Sequence, residues 1–205
     1  MPDDLDFIIY KYPHMKSMYD EFSSRNLDPN SIDIKSDVEE NEFPNFIQWD
    51  KRWAYLPYID SYMAVKGNIP TALSSIYTYL TKDTTMNPYE MAQFFEKEGW
   101  GIDSMGTSWQ AIEIGSIRLG LTYNVVANND VRINDELDRG RVLLASVVKG
   151  VFTKDSGMII IYKKVGDKYY ISDPLNKENS EKTWSLEDLQ NQMIHIWSFS
   201  KMEAK

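Results

Sequence analysis

Near Gly120 the chain changes its hydrophobic period, and that change restricts the fold more than any other feature of the sequence. Before it, apolar residues recur at helical spacing. Leu5, Ile8 and Ile9, then Met15, Met18, Tyr19 and Phe22, predict short helices over residues 5–25, broken near Pro13. Helices are also expected over 70–80, over 88–98 with Asn87 as cap and Gly99 as terminator, and from Thr107 or Ser108 to Gly120. After it come β-branched runs. Strands are expected at 141–148, 157–165 and 168–172, the last two joined as a hairpin by Val165-Gly166-Asp167. Ser185 and Asp188 have the spacing of a capping box opening a helix to about Met193, and a last strand spans 195–200. Helices followed by an antiparallel sheet make an α+β fold.

Between these parts, residues 26–45 are polar, acidic and interrupted by Pro29 and Pro44, which predicts a wrapping or partly mobile connector. The expected division is an N-terminal helical cap and acidic connector over 1–45 and a compact domain over 46–205. With 42% hydrophobic residues in 205, there is material for one core. Asp and Glu outnumber Lys and Arg by 31 to 22, a net charge of −9, so no nucleic-acid partner is expected. No apolar run approaches the ~18 residues of a membrane span, and no direct membrane insertion is expected.

The chain has no cysteine, which removes thiolate metal sites, disulfides and a cysteine nucleophile together. Its two histidines, His14 beside Pro13 and His195 between two isoleucines, are expected as packing or surface groups. Asp130, Asp135, Glu136 and Asp138 lack the glycine and spacing of a calcium loop and are expected on a solvated face. Neither metal nor cofactor is expected.

Several short stretches nonetheless fall into one order and spacing. They are Gln48-Trp49-Asp50-Lys51-Arg52-Trp53-Ala54-Tyr55, Gly67-Asn68-Ile69-Pro70-Thr71-Ala72, Pro88-Tyr89-Glu90-Met91, Gly106-Thr107-Ser108-Trp109, Val151-Phe152-Thr153, Ser172-Asp173-Pro174 and Thr183-Trp184. Over residues 44–199 the chain resembles the bacterial papain-like cysteine peptidases of the double-glycine leader (C39) type. That resemblance implies a papain-like fold, a helical half followed by a sheet half with a cleft between them.

It also implies that the chemistry has been removed. Asn68 holds the place of the nucleophilic cysteine, Ile69 that of a neighbouring glycine, and Met158 that of the histidine. An amide is no nucleophile at neutral pH, and a thioether neither takes nor gives a catalytic proton. Asp173 matches the residue that orients the imidazole, left here as a strand-exit residue with nothing to orient. Gln48 stands too far before Asn68 to be assigned as an oxyanion donor. Asn68 is expected to cap its helix, because asparagine is a good N-cap. The binding-groove candidates are Gln48, Trp49, Asn68, Trp109, Met158 and Asp173, with Trp53, Tyr55 and Trp184 as further aromatics near them.

The expected function is that of an inactive pseudopeptidase binding a peptide or protein partner in the degenerate groove. Two alternatives stand beside it. One is a scaffold working through the connector 33–42 or the N-terminal helices. The other is a hydrolase of altered mechanism, for which Ser61, Thr71, Ser74 and Ser75 are nearby hydroxyls without an accompanying base. The resemblance implies a bacterial chain, expected outside the cytoplasm if a leader or anchor has been trimmed and in the cytoplasm otherwise.

Overall fold

In the computed structural model, which describes residues 1–203, the β-branched runs build a six-stranded antiparallel sheet. The chain reaches it through α1 (Asp3–Lys11), a 3₁₀ turn (Pro13–Met15), α2 (Ser17–Glu21) and α3 (Lys35–Glu40). A short hairpin, β1 (Pro57–Tyr58) and β2 (Ser61–Tyr62), leads into α4 (Met63–Lys66), α5 (Asn68–Thr81) and α6 (Pro88–Lys97). A second hairpin, β3 (Gly101–Ile102) and β4 (Gly106–Thr107), precedes α7 (Gln110–Arg118). Then follow β5 (Leu121–Val126), α8 (Asp130–Asp138), β6 (Val142–Val148), β7 (Ser156–Val165), β8 (Lys168–Ser172), α9 (Lys177–Ser180), β9 (Thr183–Trp184), α10 (Leu186–Gln190) and β10 (Met193–Lys201). The sheet order is β5-β10-β6-β7-β8-β9. The architecture is α+β.

Both faces of the sheet are covered, which is why β6 reads as a nearly continuous apolar run instead of alternating. Val142 and Leu144 face α5, α6 and α7 in a core with Ala72, Ile76 and Phe95. Leu143, Ala145 and Val147 face the other way, against Ile133 of α8 and Leu189 of α10. Helix α5 is enclosed on all sides, with Pro70 through Thr78 buried without interruption. Its two serine hydroxyls are absorbed locally: Ser74 donates to the Met86 carbonyl at 2.6 Å and Ser75 to that of Thr71 at 3.2 Å.

Among the longer elements β5 and α8 were not expected, nor were the short hairpins and turns of helix around them. β5 is the sheet's edge strand, and its exposed Asn124 and Val125 break the apolar pattern that a buried strand would show. α8 turns the acids 130–138 into a helix capped by the Asn129 side chain, which accepts from the Arg132 amide at 3.0 Å. Only Ile133 of that helix is buried, so its helical period was nearly silent. By contrast the Asn87 cap of α6 and the Ser185 cap of α10 form as the spacing predicts.

The connector is fastened to the body at several points. Phe43 is buried and stacks on Tyr162, centroids 4.5 Å apart, and meets Tyr79 at 4.9 Å. Ile34 is buried with Phe46, Trp53 and Tyr58. Arg52 grips Asp37 with two nitrogens, at 2.7 and 3.1 Å, and holds Asp50 as well. This is a wrapping segment with its own anchors. Phe43→Ala is expected to cost about 3–5 kcal/mol, because it empties an aromatic socket that cannot collapse. Urea unfolding of the variant checks this, and a loss below about 1 kcal/mol would mean the connector adds little to the core.

Candidate functional site

The start of α5 and the start of β7 meet across a cleft, and one side chain joins them. Asn68 Oδ1 accepts from the backbone amide of Met158 at 2.8 Å, while its Nδ2 donates to Gln48 Oε1 at 2.9 Å. Gln48 is buried and in turn donates through Nε2 to the Ala64 carbonyl at 2.7 Å, and its backbone amide bonds the Pro174 carbonyl at 2.8 Å. The glutamine thereby ties α4, the turn after β8 and Asn68 together. With its amide nitrogen committed to Ala64, Gln48 does not present a donor to the cleft.

Asn68 is not the helix cap it was expected to be. Gly67 occupies that position, and the Thr71 amide bonds the Gly67 carbonyl at 3.0 Å. The reason lies in how α4 runs into α5. A Cβ at position 67 would lie 2.4 Å from the Met63 carbonyl oxygen, so only glycine fits the junction. Asn68 is left one residue inside the helix, and its side chain turns across the cleft.

On one side of Asn68 the cleft opens into a cavity of about 320 Å³, at the small end of the range for ligand sites. Met158 and Trp109 line it together with Ser104, Thr107 and Ser146. Trp109 is 42% exposed and rests on Trp197, at 5.1 Å and 90°, and on His195 at 5.2 Å. Met158, Ser146 and His195 occupy consecutive positions across β7, β6 and β10, so they share one face of the sheet. His195 Nε2 is buried without a hydrogen-bond partner. His14 has its Nε2 at 2.9 Å from the Leu175 carbonyl. Neither histidine lines the cavities at Asn68.

The sequence candidates thus divide. Gln48, Asn68 and Met158 come together, and Trp109 lines the same cavity as the last two. Trp49 sits with the N-terminal helices, its indole donating to the Leu175 carbonyl at 2.9 Å. Trp53 and Tyr55 are core residues, and Trp184 packs on Phe152 at 4.7 Å. Asp173 is 1% exposed and organises the turn after β8: Oδ1 accepts from the amides of Leu175 and Asn176, and Oδ2 from Asn179 at 2.7 Å. The cavity hydroxyls were missed. Ser146, the lone polar residue in the run Val142–Val148, was the signal that could have found them.

Asn68→Asp is expected to destabilise the fold by about 1–3 kcal/mol, because it sets a carboxylate oxygen against Gln48 Oε1. Gln48 cannot flip to answer it, since Nε2 is held by Ala64. Thermal melts of the two proteins check this, and equal midpoints would contradict the bonding described.

Burial pushes the Asp173 carboxyl up to about 6, against the pull of the Asn179 side chain and the Leu175 and Asn176 amides. The folded chain therefore holds this proton more tightly than the unfolded chain, whose carboxyl stays near 3.8. Stability contributed by the protonated form is complete below about 4 and is lost as the pH rises through about 6, on the order of 3 kcal/mol for two pKa units. Urea titrations at pH 4.5 and 7 should show about two thirds of this fall in the parent chain and a smaller one in Asp173→Asn. The same pH dependence in both proteins would exclude Asp173 as its source.

No family model matches the chain, and no curated protein does. Among solved structures it is similar to the peptidase domain of Streptococcus ComA, a bifunctional ABC transporter of a quorum-sensing pathway. The identity is 18%, over 67% of this chain and 93% of that one, with a TM-score of 0.49. It is similar to a C39-like peptidase from Bacillus anthracis, with 13% identity over 78% of this chain and 95% of that one and a TM-score of 0.44. A double-glycine-motif protease from an AMS/PCAT transporter, solved in complex with its leader peptide, is similar at 13% identity over 73% and 94%, with a TM-score of 0.46.

Proposed function

We propose that the chain is a catalytically inactive papain-like domain that binds a peptide or protein segment in the cleft at Asn68. The observation that carries this is the Asn68 amide, which stands between Gln48 and Met158 with both ends hydrogen-bonded. A group so placed offers neither a nucleophilic atom nor a proton acceptor, and the thioether of Met158 supplies none. Loss of one member of a catalytic unit costs on the order of a millionfold in turnover. The cleft itself stays open, with an exposed tryptophan face beside hydroxyl groups, surfaces suited to side chains and backbone of an extended peptide.

A second reading has one observation in its favour. Residues 1–45 carry eleven Asp and Glu against four Lys and Arg, so most of the net charge lies in the N-terminal layer. Phe7 and Tyr10 are exposed on the same helix, α1. A scaffold using that face would bind there and leave the cleft empty.

One titration separates the readings. Extended peptides, Gly-Gly-containing sequences among them, are expected to shift the backbone and side-chain NMR signals of Asn68, Met158 and Trp109, with saturation. Trp109→Ala is expected to weaken binding about tenfold, the loss of one aromatic face. Shifts confined to α1 would favour the scaffold. Peptide or ester hydrolysis by a preparation free of host protease would overturn the inactive assignment.

A further inference from the structure

The cleft continues past Asn68 on the side away from Trp109. Val65, Asn68 and Ser156 line both the open cavity and a second one of about 150 Å³, so the two are successive parts of one cleft. The second part is walled by the chain's own N-terminal segment, through Ile8, Lys11 and Tyr12. That wall is fastened at both ends. Lys11 pairs with Asp155, the Tyr12 hydroxyl lies 3.1 Å from Thr153 Oγ1 and accepts from the Lys154 amide, and His14 meets the Leu175 carbonyl. At the other end Ser61 donates to Asp4. Beneath it, Leu5, Ile8, Ile9, Met15 and Met18 are each at most 7% exposed, so apolar burial holds the segment down. A cavity of 150 Å³ has the size of one that holds a benzene ring. It has room for one side group, whereas a continuing backbone advances about 3.3 Å with every residue.

We propose that the cleft takes the end of a peptide chain: the ligand lies along Trp109 and stops beside Asn68, because α1 occupies the path that an internal segment would follow. This deepens the peptide-binding reading and rests on it. A peptidase cleft must hold residues on both sides of the bond it cuts. Here the side beyond Asn68 has less than half the volume of the side beside Trp109, which suits recognition of a terminus.

The test starts from the intact chain, used to select ligands from a pool of short random linear peptides with free ends. The best binder is then measured free, extended at either end in turn, and embedded in a surface loop of an inert carrier protein. The free form and the form extended at one end are expected to bind alike. Extension at the other end, and embedding, should each weaken binding at least about tenfold, or about 1.4 kcal/mol. Equal affinity for the free and embedded forms, with the Trp109 and Asn68 signals shifting in both, would overturn the terminus proposal and leave peptide binding standing. Failure of every peptide to bind at millimolar concentration would overturn both.

Discussion

Helix α5 is the constraint on which the rest of the structure depends. A helix buried over nine consecutive residues, Pro70 to Thr78, needs apolar partners on every side, and the sheet, α6 and the connector's Phe43 supply them. Burial all round also fixes where the helix can begin. Its first turn has to emerge from the core to leave its unpaired amides near water, and it does so at the end of the sheet where β7 starts. The cleft is the consequence of that emergence, and it owes nothing to the identity of the side chain at position 68.

What that side chain does is settle the polar groups stranded at the junction. Met158 is the first core residue of β7, and its backbone amide faces the helix instead of a neighbouring strand. Left unpaired, such an amide costs about 1–3 kcal/mol. A carboxamide meets the need from the helix side and can donate to Gln48 in the same geometry, which a thiol could not do. Gln48 then passes the connection to α4 and to the turn that Asp173 organises. The two halves of the molecule are joined at the cleft by a chain of neutral hydrogen bonds.

Much of this was legible in the sequence, and the exceptions have physical reasons. The caps Asn87 and Ser185, the Gly166 hairpin and the apolar runs of β6 and β7 each announce themselves through local chemistry. The junction of Asn68 with Met158 was reached through the resemblance, because ninety residues separate the two and no local rule connects them. The N-cap assignment went to Asn68 instead of Gly67 because propensity sees the residue type and not the steric limit set by Met63. Edge strand β5 and helix α8 escaped because each buries little, and periodicity reports burial. The role of α1 in walling the cleft was beyond any sequence rule, since Tyr12 and Thr153 are distant in the chain.

That the cleft has not filled in also follows from its lining. An apolar hole at a core edge tends to close, because every atom facing it forgoes dispersion contacts. This one is bordered by hydroxyls, from Ser104, Ser146 and Ser156, which would lose water on collapse without gaining one another as partners. Ser146 is the telling case. It interrupts a strand of valines, leucines and alanine at the one position of β6 that meets the cavity beside Met158. An alanine there would extend the core by one more apolar contact; the hydroxyl keeps that stretch of the sheet wet. A polar floor under an exposed tryptophan keeps one side of the cleft from closing, while Ile8 and Lys11 of α1 narrow the other.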